Sequence, residues 1–177
     1  MKSSAGSPES GPKAPPMKTQ TTLFNESERT DYLVMLAHMV GADGEVTSEE
    51  IYALRKLSEE FVLGPLNRGR VMAATTGSSD LSDVLSRLAT TKLKYGLLLD
   101  LCLTGYWDGK LTDDEVQEIH ELAKGLQVDK PQVEACLSLA ETLVQGNEPA
   151  EAVKKLGDLG VPKEALAMAC GVEEGRL

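Results

Sequence analysis

An internal repeat constrains the fold of this chain more than any other feature. When the sequence is shifted by 65 residues, residues 33–57 align with 98–122 without a gap, and seven of the 25 positions are identical. The identical pairs are Leu33/Leu98, Leu36/Leu101, Asp43/Asp108, Gly44/Gly109, Thr47/Thr112, Glu50/Glu115 and Leu57/Leu122. The leucines keep helical spacing in both copies. The repeat therefore predicts two helix–loop–helix hairpins whose apolar faces share one core.

Helical periodicity extends well beyond the repeat. Apolar residues recur every three or four positions, and Gly, Pro and capping residues separate the periodic stretches. Aromatic residues make up only 4% of the chain, and no stretch keeps the alternation of a strand, so no sheet is expected. The prediction is an all-α bundle of about seven helices with short C-terminal helices. The expected helices cover about 27–40, 48–61, 65–72, 80–88, 93–104, 113–126, 129–144, 149–156 and 162–169.

The composition divides the chain into three parts. Residues 1–26 are rich in Ser, Pro, Gly and Lys and hold few large apolar side chains, which predicts a disordered N-terminal tail. Residues 27–146 contain both hairpins and are expected to form the bundle. Residues 147–177 are expected to form a C-terminal helical extension.

The net charge of −10 limits the classes of partner. Nucleic acids and anionic membrane surfaces are themselves negative, so neither is expected to bind. Divalent cations and a protein partner with a basic surface are the expected ligands. No apolar run resembles a secretory signal or reaches the roughly 20 residues of a membrane span, so a cytoplasmic protein without membrane insertion is expected.

Cys102, Cys136 and Cys170 lie in apolar helical stretches without CxxC or CxxH spacing. They are expected to be buried free thiols, not zinc ligands. His38 and His120 also lack a metal-binding spacing and are expected to be hydrogen-bonded helical residues.

Asp100 interrupts the apolar run 97–103. Either it pairs with Lys92, Lys94 or a bound cation, or its helix face turns towards solvent.

The repeated polar residues have two interpretations. In the structural one, Thr47 with Glu50 and Thr112 with Glu115 form capping boxes, and the Asp-Gly pairs make turns. In the functional one, the carboxylates bind a hard cation such as Ca²⁺, Mg²⁺ or Mn²⁺. The candidate carboxylates are Asp43, Glu45, Glu49 and Glu50 in the first loop, and Asp108, Asp113, Asp114 and Glu115 in the second.

An EF-hand does not fit this pattern. With Gly44 at loop position 6, the ligand positions 1 and 3 fall on Met39 and Gly41. The second loop has Thr104 and Tyr106 there. Half of the ligand set is therefore missing in each copy.

The first loop resembles the signature of the TerB-like family, which includes tellurite-resistance proteins and the N-terminal module of DjlA-type co-chaperones. The resemblance is carried by Ala42-Asp43-Gly44-Glu45-Val46, the following Glu50 and the preceding apolar helix 32–37. The second copy, 107–111 with Glu115, adds to it, although Trp107 and Lys110 make that loop bulkier and less acidic. The resemblance covers about residues 28–145.

This resemblance implies an all-helical bundle that binds metal cations through acidic residues and links metal or oxidative stress to membrane-associated or chaperone complexes. The metal ligands it implies are Asp43, Glu50, Asp108 and Glu115. We therefore predict a non-enzymatic divalent-cation-binding protein of the metal or stress response. The alternative is an adaptor, scaffold or co-chaperone-type module whose acidic loops only cap helices. An enzyme with a carboxylate-bound metal is disfavoured, because no nucleophile with a partner and no Gly-rich phosphate loop is found.

Overall fold

The computed structural model describes residues 25–77, 80–106, 109–163 and 165–166. These ranges contain eight helices and no strand. The helices are α1 Glu26–Val40, α2 Ser48–Glu60, α3 Pro65–Ala74, α4 Ser82–Ala89, α5 Leu93–Thr104, α6 Asp113–Gly125, α7 Lys130–Val144 and α8 Ala150–Asp158. The all-α prediction is confirmed. The helix expected over 162–169 is described only in part, with residues 163, 165 and 166 helical.

Helix boundaries follow the capping residues. Asn25 forms a capping box with Glu28, so α1 begins at Glu26, inside the stretch expected to be tail. The rest of that stretch, residues 1–24, lies outside the described residues. Asp80 accepts hydrogen bonds from the amide and hydroxyl of Ser82, which places the start of α4 two residues later than expected.

Helices α1 and α5 form the centre of the bundle. Residues 30–37 of α1 and 96–104 of α5 are buried without interruption, as expected for helices covered on all sides. The hydroxyl of Tyr32 contacts Asp100 of α5, and a methyl group on Gly105 would lie 3.6 Å from Met39 Cε. Contacts that advance in the same direction along both helices show that α1 and α5 run parallel.

The structural repeat is longer than the sequence repeat. Helices α2 and α6 have 13 residues each and begin 65 positions apart. A residue with positive φ stands two positions beyond the end of each, Val62 at 53° and Gln127 at 55°. The next amide returns to the helix in both copies, Leu63 to Ser58 and Val128 to Ala123. A third helix follows each of these turns, and the two third helices, α3 and α7, also begin 65 positions apart. The repeated units are therefore α1–α2–α3 and α5–α6–α7.

The C-terminal part of the described chain joins the same core. Val153, Leu156 and Val161 are buried in the main hydrophobic cluster. The amide of Gln132 on α7 donates to the carbonyl of Leu159 at 3.1 Å. Residues 150–163, together with Ala165 and Leu166, therefore pack against the bundle. No helix in the described ranges combines the length and apolarity needed to cross a bilayer.

Candidate functional site

The first acidic loop enters α2 through a complete capping box. Glu50 Oε2 accepts from the amide of Thr47 at 2.8 Å and from its hydroxyl at 2.9 Å. The amide of Glu50 donates back to Thr47 Oγ1 at 3.2 Å. One oxygen of this predicted metal ligand is therefore engaged by the helix N-terminus, where a carboxylate is also favoured by the helix dipole.

The second loop enters α6 in the same way. Glu115 Oε2 accepts from the amide of Thr112 at 2.7 Å and from its hydroxyl at 2.9 Å. The side chain of Glu115 is more buried than that of Glu50, with 9% of the residue exposed. The structural interpretation of Thr and Glu in the repeat is thus confirmed in both copies.

The Asp-Gly pair shapes the turn before the first box, and a glycine of positive φ precedes both boxes. Asp43 Oδ1 accepts from the amide of Glu45 at 2.9 Å, which holds the loop in an Asx turn. Gly44 has φ +82° and Gly109 has φ +107°, a region where a side chain is strained. Asp108, the fourth predicted ligand, lies outside the described residues, as does Trp107.

The two loops leave the bundle at the same end. Helices α1 and α5 are parallel, and their last turns meet where Met39 approaches Gly105. His38 near the end of α1 contacts Glu118 in the second turn of α6, with 2.9 Å between Nε2 and Oε1. The start of α6, and with it the end of the second loop, therefore lies beside the end of α1.

The fit of a cation to these loops is partial. The donor set is carboxylate oxygen throughout, which suits a hard cation. Among the described residues, however, no three His, Cys, Asp or Glu side chains come together as a metal site. Asp43 and Glu50 each use one oxygen locally. A coordination sphere cannot be built from the described carboxylates as they stand.

The rejection of an EF-hand is confirmed by burial. Met39, at the first ligand position, is 1% exposed and belongs to the core. Thr104, its counterpart in the second loop, is buried and donates its hydroxyl hydrogen bond to the carbonyl of Asp100 at 2.7 Å. Neither side chain is placed to act as a metal ligand in its loop.

Two of the alternatives expected for Asp100, a lysine partner and a solvent-facing position, are wrong. This residue is fully buried, and its partner is the Tyr32 hydroxyl, which donates to Oδ2 at 2.6 Å. Lys94 instead reaches the carbonyl of Gln127. Asp100 Oδ1 has no hydrogen-bond partner, and burial raises the pKa of this carboxyl to about 8. In a helix that is apolar on all sides, the periodicity does not indicate which way a polar residue faces. The sequence therefore did not reveal this pair.

A second buried carboxylate was not singled out by the sequence at all. Asp31 on α1 is 2% exposed and receives a bidentate contact from Arg87 on α4, with distances of 2.7 and 3.0 Å. Arg70 on α3 adds a longer contact at 3.9 Å. These ion pairs fasten α3 and α4 to α1. The polar residue inside the apolar face of α1 was the available signal.

The histidines and cysteines singled out in the sequence either pair with a glutamate or belong to the core. His38 and His120 each contact a glutamate, Glu118 and Glu134, on a neighbouring helix. Cys102 and Cys136 are buried thiols outside any disulfide, as expected, and burial raises the pKa of Cys102 well above its usual value. Cys170 lies outside the described residues.

Comparison with known proteins identifies one family. The family described as tellurite resistance protein TerB matches residues 29–138, which is more than half of the chain. The matched range begins in the first turn of α1 and ends within α7, so it contains nearly all of both repeated units. No curated protein and no solved structure matches the chain significantly.

Proposed function

Since this chain belongs to the tellurite resistance protein TerB family, we propose that it is a non-enzymatic module that binds a divalent cation at its acidic end and acts in the metal or stress response. The observation that carries this proposal is that the two acidic loops leave the bundle at the same end. A chain of net charge −10 attracts cations, and two acidic loops at one end concentrate its negative electrostatic potential there.

The proposed ligands are Asp43 and Glu50 in the first unit with Asp108 and Glu115 in the second. Both glutamates also cap helices, and a metal contact of Glu50 would use the oxygen that is not bonded to Thr47. The described carboxylates do not gather in a group of three. Binding therefore requires Asp108 or a movement of the loops, and loop closure around the ion lowers the expected affinity.

Calorimetric titration of the full chain with Ca²⁺, Mg²⁺, Mn²⁺ and Zn²⁺ tests this proposal. The informative variant is Asp43→Asn with Asp108→Asn, which removes two charges and leaves both capping boxes in place. Glu151→Gln on α8 is the control, because it removes an exposed carboxylate far along the chain from both loops. We expect at least a tenfold loss of affinity in the double variant only. Absence of binding tighter than millimolar, with no change of melting temperature under metal, refutes the proposal.

The alternative function, a protein-interaction adaptor, is favoured by a different observation. Val62 and Leu66, beside the α2–α3 connection, are 70% and 82% exposed. Most of their apolar surface is therefore left uncovered by the chain. An interaction there would survive a metal chelator and would be lost on substitution of these residues. Point variants are the appropriate test, because residues 150–163, together with Ala165 and Leu166, pack against the bundle and their deletion would damage the fold.

A further inference from the structure

A basic groove lies between α2 and α3. Its volume is about 270 Å³, and the residues that line it are Arg55, Ser58, Glu59, Arg68, Gly69 and Met72. Two arginines and one glutamate line it, a net charge of about +1, whereas the whole chain has a net charge of −10. The groove is therefore a local positive region on an acidic protein.

The two arginines in the groove differ in their contacts. The guanidinium of Arg68 is held by the chain itself, since its Nε donates to the carbonyl of Leu63 at 2.7 Å. Arg55 is exposed and makes no hydrogen bond or ion pair with any residue that the structure describes. A guanidinium offers five donors in a planar fork, and those of Arg55 are unused.

The second repeated unit shows how the equivalent position is satisfied. The shift of 65 residues relates Arg55 to His120 and Gly69 to Glu134. His120 and Glu134 join α6 to α7, with 3.2 Å between Nε2 and Oε1. The first unit keeps a basic side chain on α2 but has no side chain on α3 to pair with it.

Gly69 leaves space for a side chain at the position that corresponds to Glu134. A methyl group added there would meet no atom within 4 Å, so packing does not require the glycine. Glycine is nevertheless unfavourable inside a helix relative to alanine. Its presence opens the wall of the groove where the second unit carries the carboxylate of Glu134.

Two exposed apolar side chains lie beside the groove's α2–α3 connection. Val62 belongs to the connection itself, and Leu66 precedes Gly69 by about one turn of α3. Both are largely exposed, and Val62 has φ +53°, a conformation in which a β-branched residue is strained. An exposed valine at such a position gains no burial within the chain.

We propose that the α2–α3 groove binds an acidic, partly apolar segment of a partner protein, one carboxylate of which sits against Arg55 over Gly69. This carboxylate takes the place that Glu134 occupies in the second unit. Apolar side chains of the segment cover Val62 and Leu66. The site is separate from the acidic loops and does not depend on a cation.

The chemistry favours a single carboxylate over other anions. Arginine binds a carboxylate with two parallel hydrogen bonds, and Arg68 adds a second positive charge. Glu59 in the groove wall reduces the net charge of the groove to about that of one cation, which disfavours a phosphate dianion. Nucleic acid is disfavoured because the rest of the surface is negative.

Peptide titration of the full-length protein tests the groove. The probe is a labelled twelve-residue peptide of alternating glutamate and leucine pairs. Its matched controls carry glutamine, lysine or phosphoserine in place of glutamate. Fluorescence anisotropy gives affinity and amide chemical shifts give location, both in the presence of chelator. We expect the glutamate peptide alone to bind in the micromolar to low millimolar range and to shift the amides of α2 and α3.

Substitutions at two positions, Arg55 and Gly69, separate the roles of charge and space. Arg55→Glu should weaken peptide binding at least tenfold, whereas Lys130→Glu, the same charge change at an exposed residue of α7, should not. Gly69→Glu should place a carboxylate beside Arg55, as Glu134 lies beside His120, and should also abolish binding. Gly69→Ala should leave a measurable but weaker interaction. Circular dichroism confirms that each variant is folded.

The proposal is overturned if no α2 or α3 amide moves at millimolar peptide, or if Arg55→Glu and Gly69→Glu bind like the parent chain. Tighter binding of the phosphoserine peptide would overturn the choice of a carboxylate. Sedimentation of the unliganded protein provides a further check. A dimer that Arg55→Glu dissociates would show that a second copy, not a partner protein, occupies the groove.

Discussion

The Tyr32–Asp100 pair makes the stability of this protein depend on pH in an unusual direction. Asp100 is fully buried without a cationic partner, and burial raises its pKa to about 8. In the unfolded chain an aspartate has its ordinary pKa of about 3.9. Between these values the folded protein keeps the proton and the unfolded chain releases it. Rising pH therefore favours unfolding over this window, and stability is greatest below it.

The size of the effect follows from the same two pKa values. Each unit of pKa difference corresponds to about 1.4 kcal/mol, so the free energy of unfolding should fall by about 3–4 kcal/mol between pH 5 and pH 8 through this group. Asp100→Asn removes the titration while its amide oxygen can still accept from Tyr32. Urea unfolding at constant ionic strength, followed by circular dichroism at pH 5, 6, 7 and 8, measures the difference between the two proteins.

We expect the variant to lie within about 2 kcal/mol of the parent at pH 5, since the amide brings one unsatisfied donor, and to be the more stable protein at pH 8. Asp158→Asn, at an exposed residue of α8, should leave the pH dependence of the parent unchanged. Parallel curves for the parent and Asp100→Asn, with less than about 1 kcal/mol of divergence, would show that Asp100 does not hold its proton in the folded protein.

Three further substitutions test the framework of the bundle by urea unfolding. Thr112→Ala removes the capping hydroxyl of α6 and should cost about 1 kcal/mol. Arg87→Ala leaves the buried carboxylate of Asp31 without its bidentate partner and should cost about 2–3 kcal/mol. Gly41→Ala would place a methyl group 1.9 Å from the carbonyl oxygen of Thr75, so α1 and α3 must separate, at a cost of about 2–3 kcal/mol or more.

Each of these has a matched control. Thr142→Ala removes an exposed hydroxyl that bonds back within α7 and should change stability by less than about 0.5 kcal/mol. Arg70→Ala removes only the 3.9 Å contact and should cost less than Arg87→Ala. Gly157→Ala in α8 meets no atom within 4 Å and should be stabilising. Equal effects within any pair would contradict the contact assigned to it.

The repeat gains a functional meaning from the differences between its two units. Both units cap their second helix with Thr and Glu and have a glycine of positive φ before the cap, so these shared residues maintain the fold. Residues that differ between the units, such as Gly69 and Glu134, are not required by that common framework. The proposed cation site uses the shared loops, whereas the proposed peptide groove uses a position at which the units diverged.

Local physics made the helices and caps readable from the sequence. Helical spacing of leucines, the threonine and glutamate of each box and the Asp-Gly turns act over three to seven residues, so they carry their information within the chain segment itself. The same signals located the acidic loops and the family resemblance. They also excluded an EF-hand, since the missing ligands at Met39 and Thr104 are visible in the spacing.

Only the tertiary structure decided which distant residues meet. The pairing of Asp100 with Tyr32 and of Asp31 with Arg87 joins residues 68 and 56 positions apart, and no periodicity specifies such partners. The parallel course of α1 and α5 brought the two loops to one end. The inclusion of α3 and α7 in the repeat depends on backbone turns at Val62 and Gln127, whose side chains have nothing in common. Packing is a property of the assembled helices, and one helix alone does not determine it.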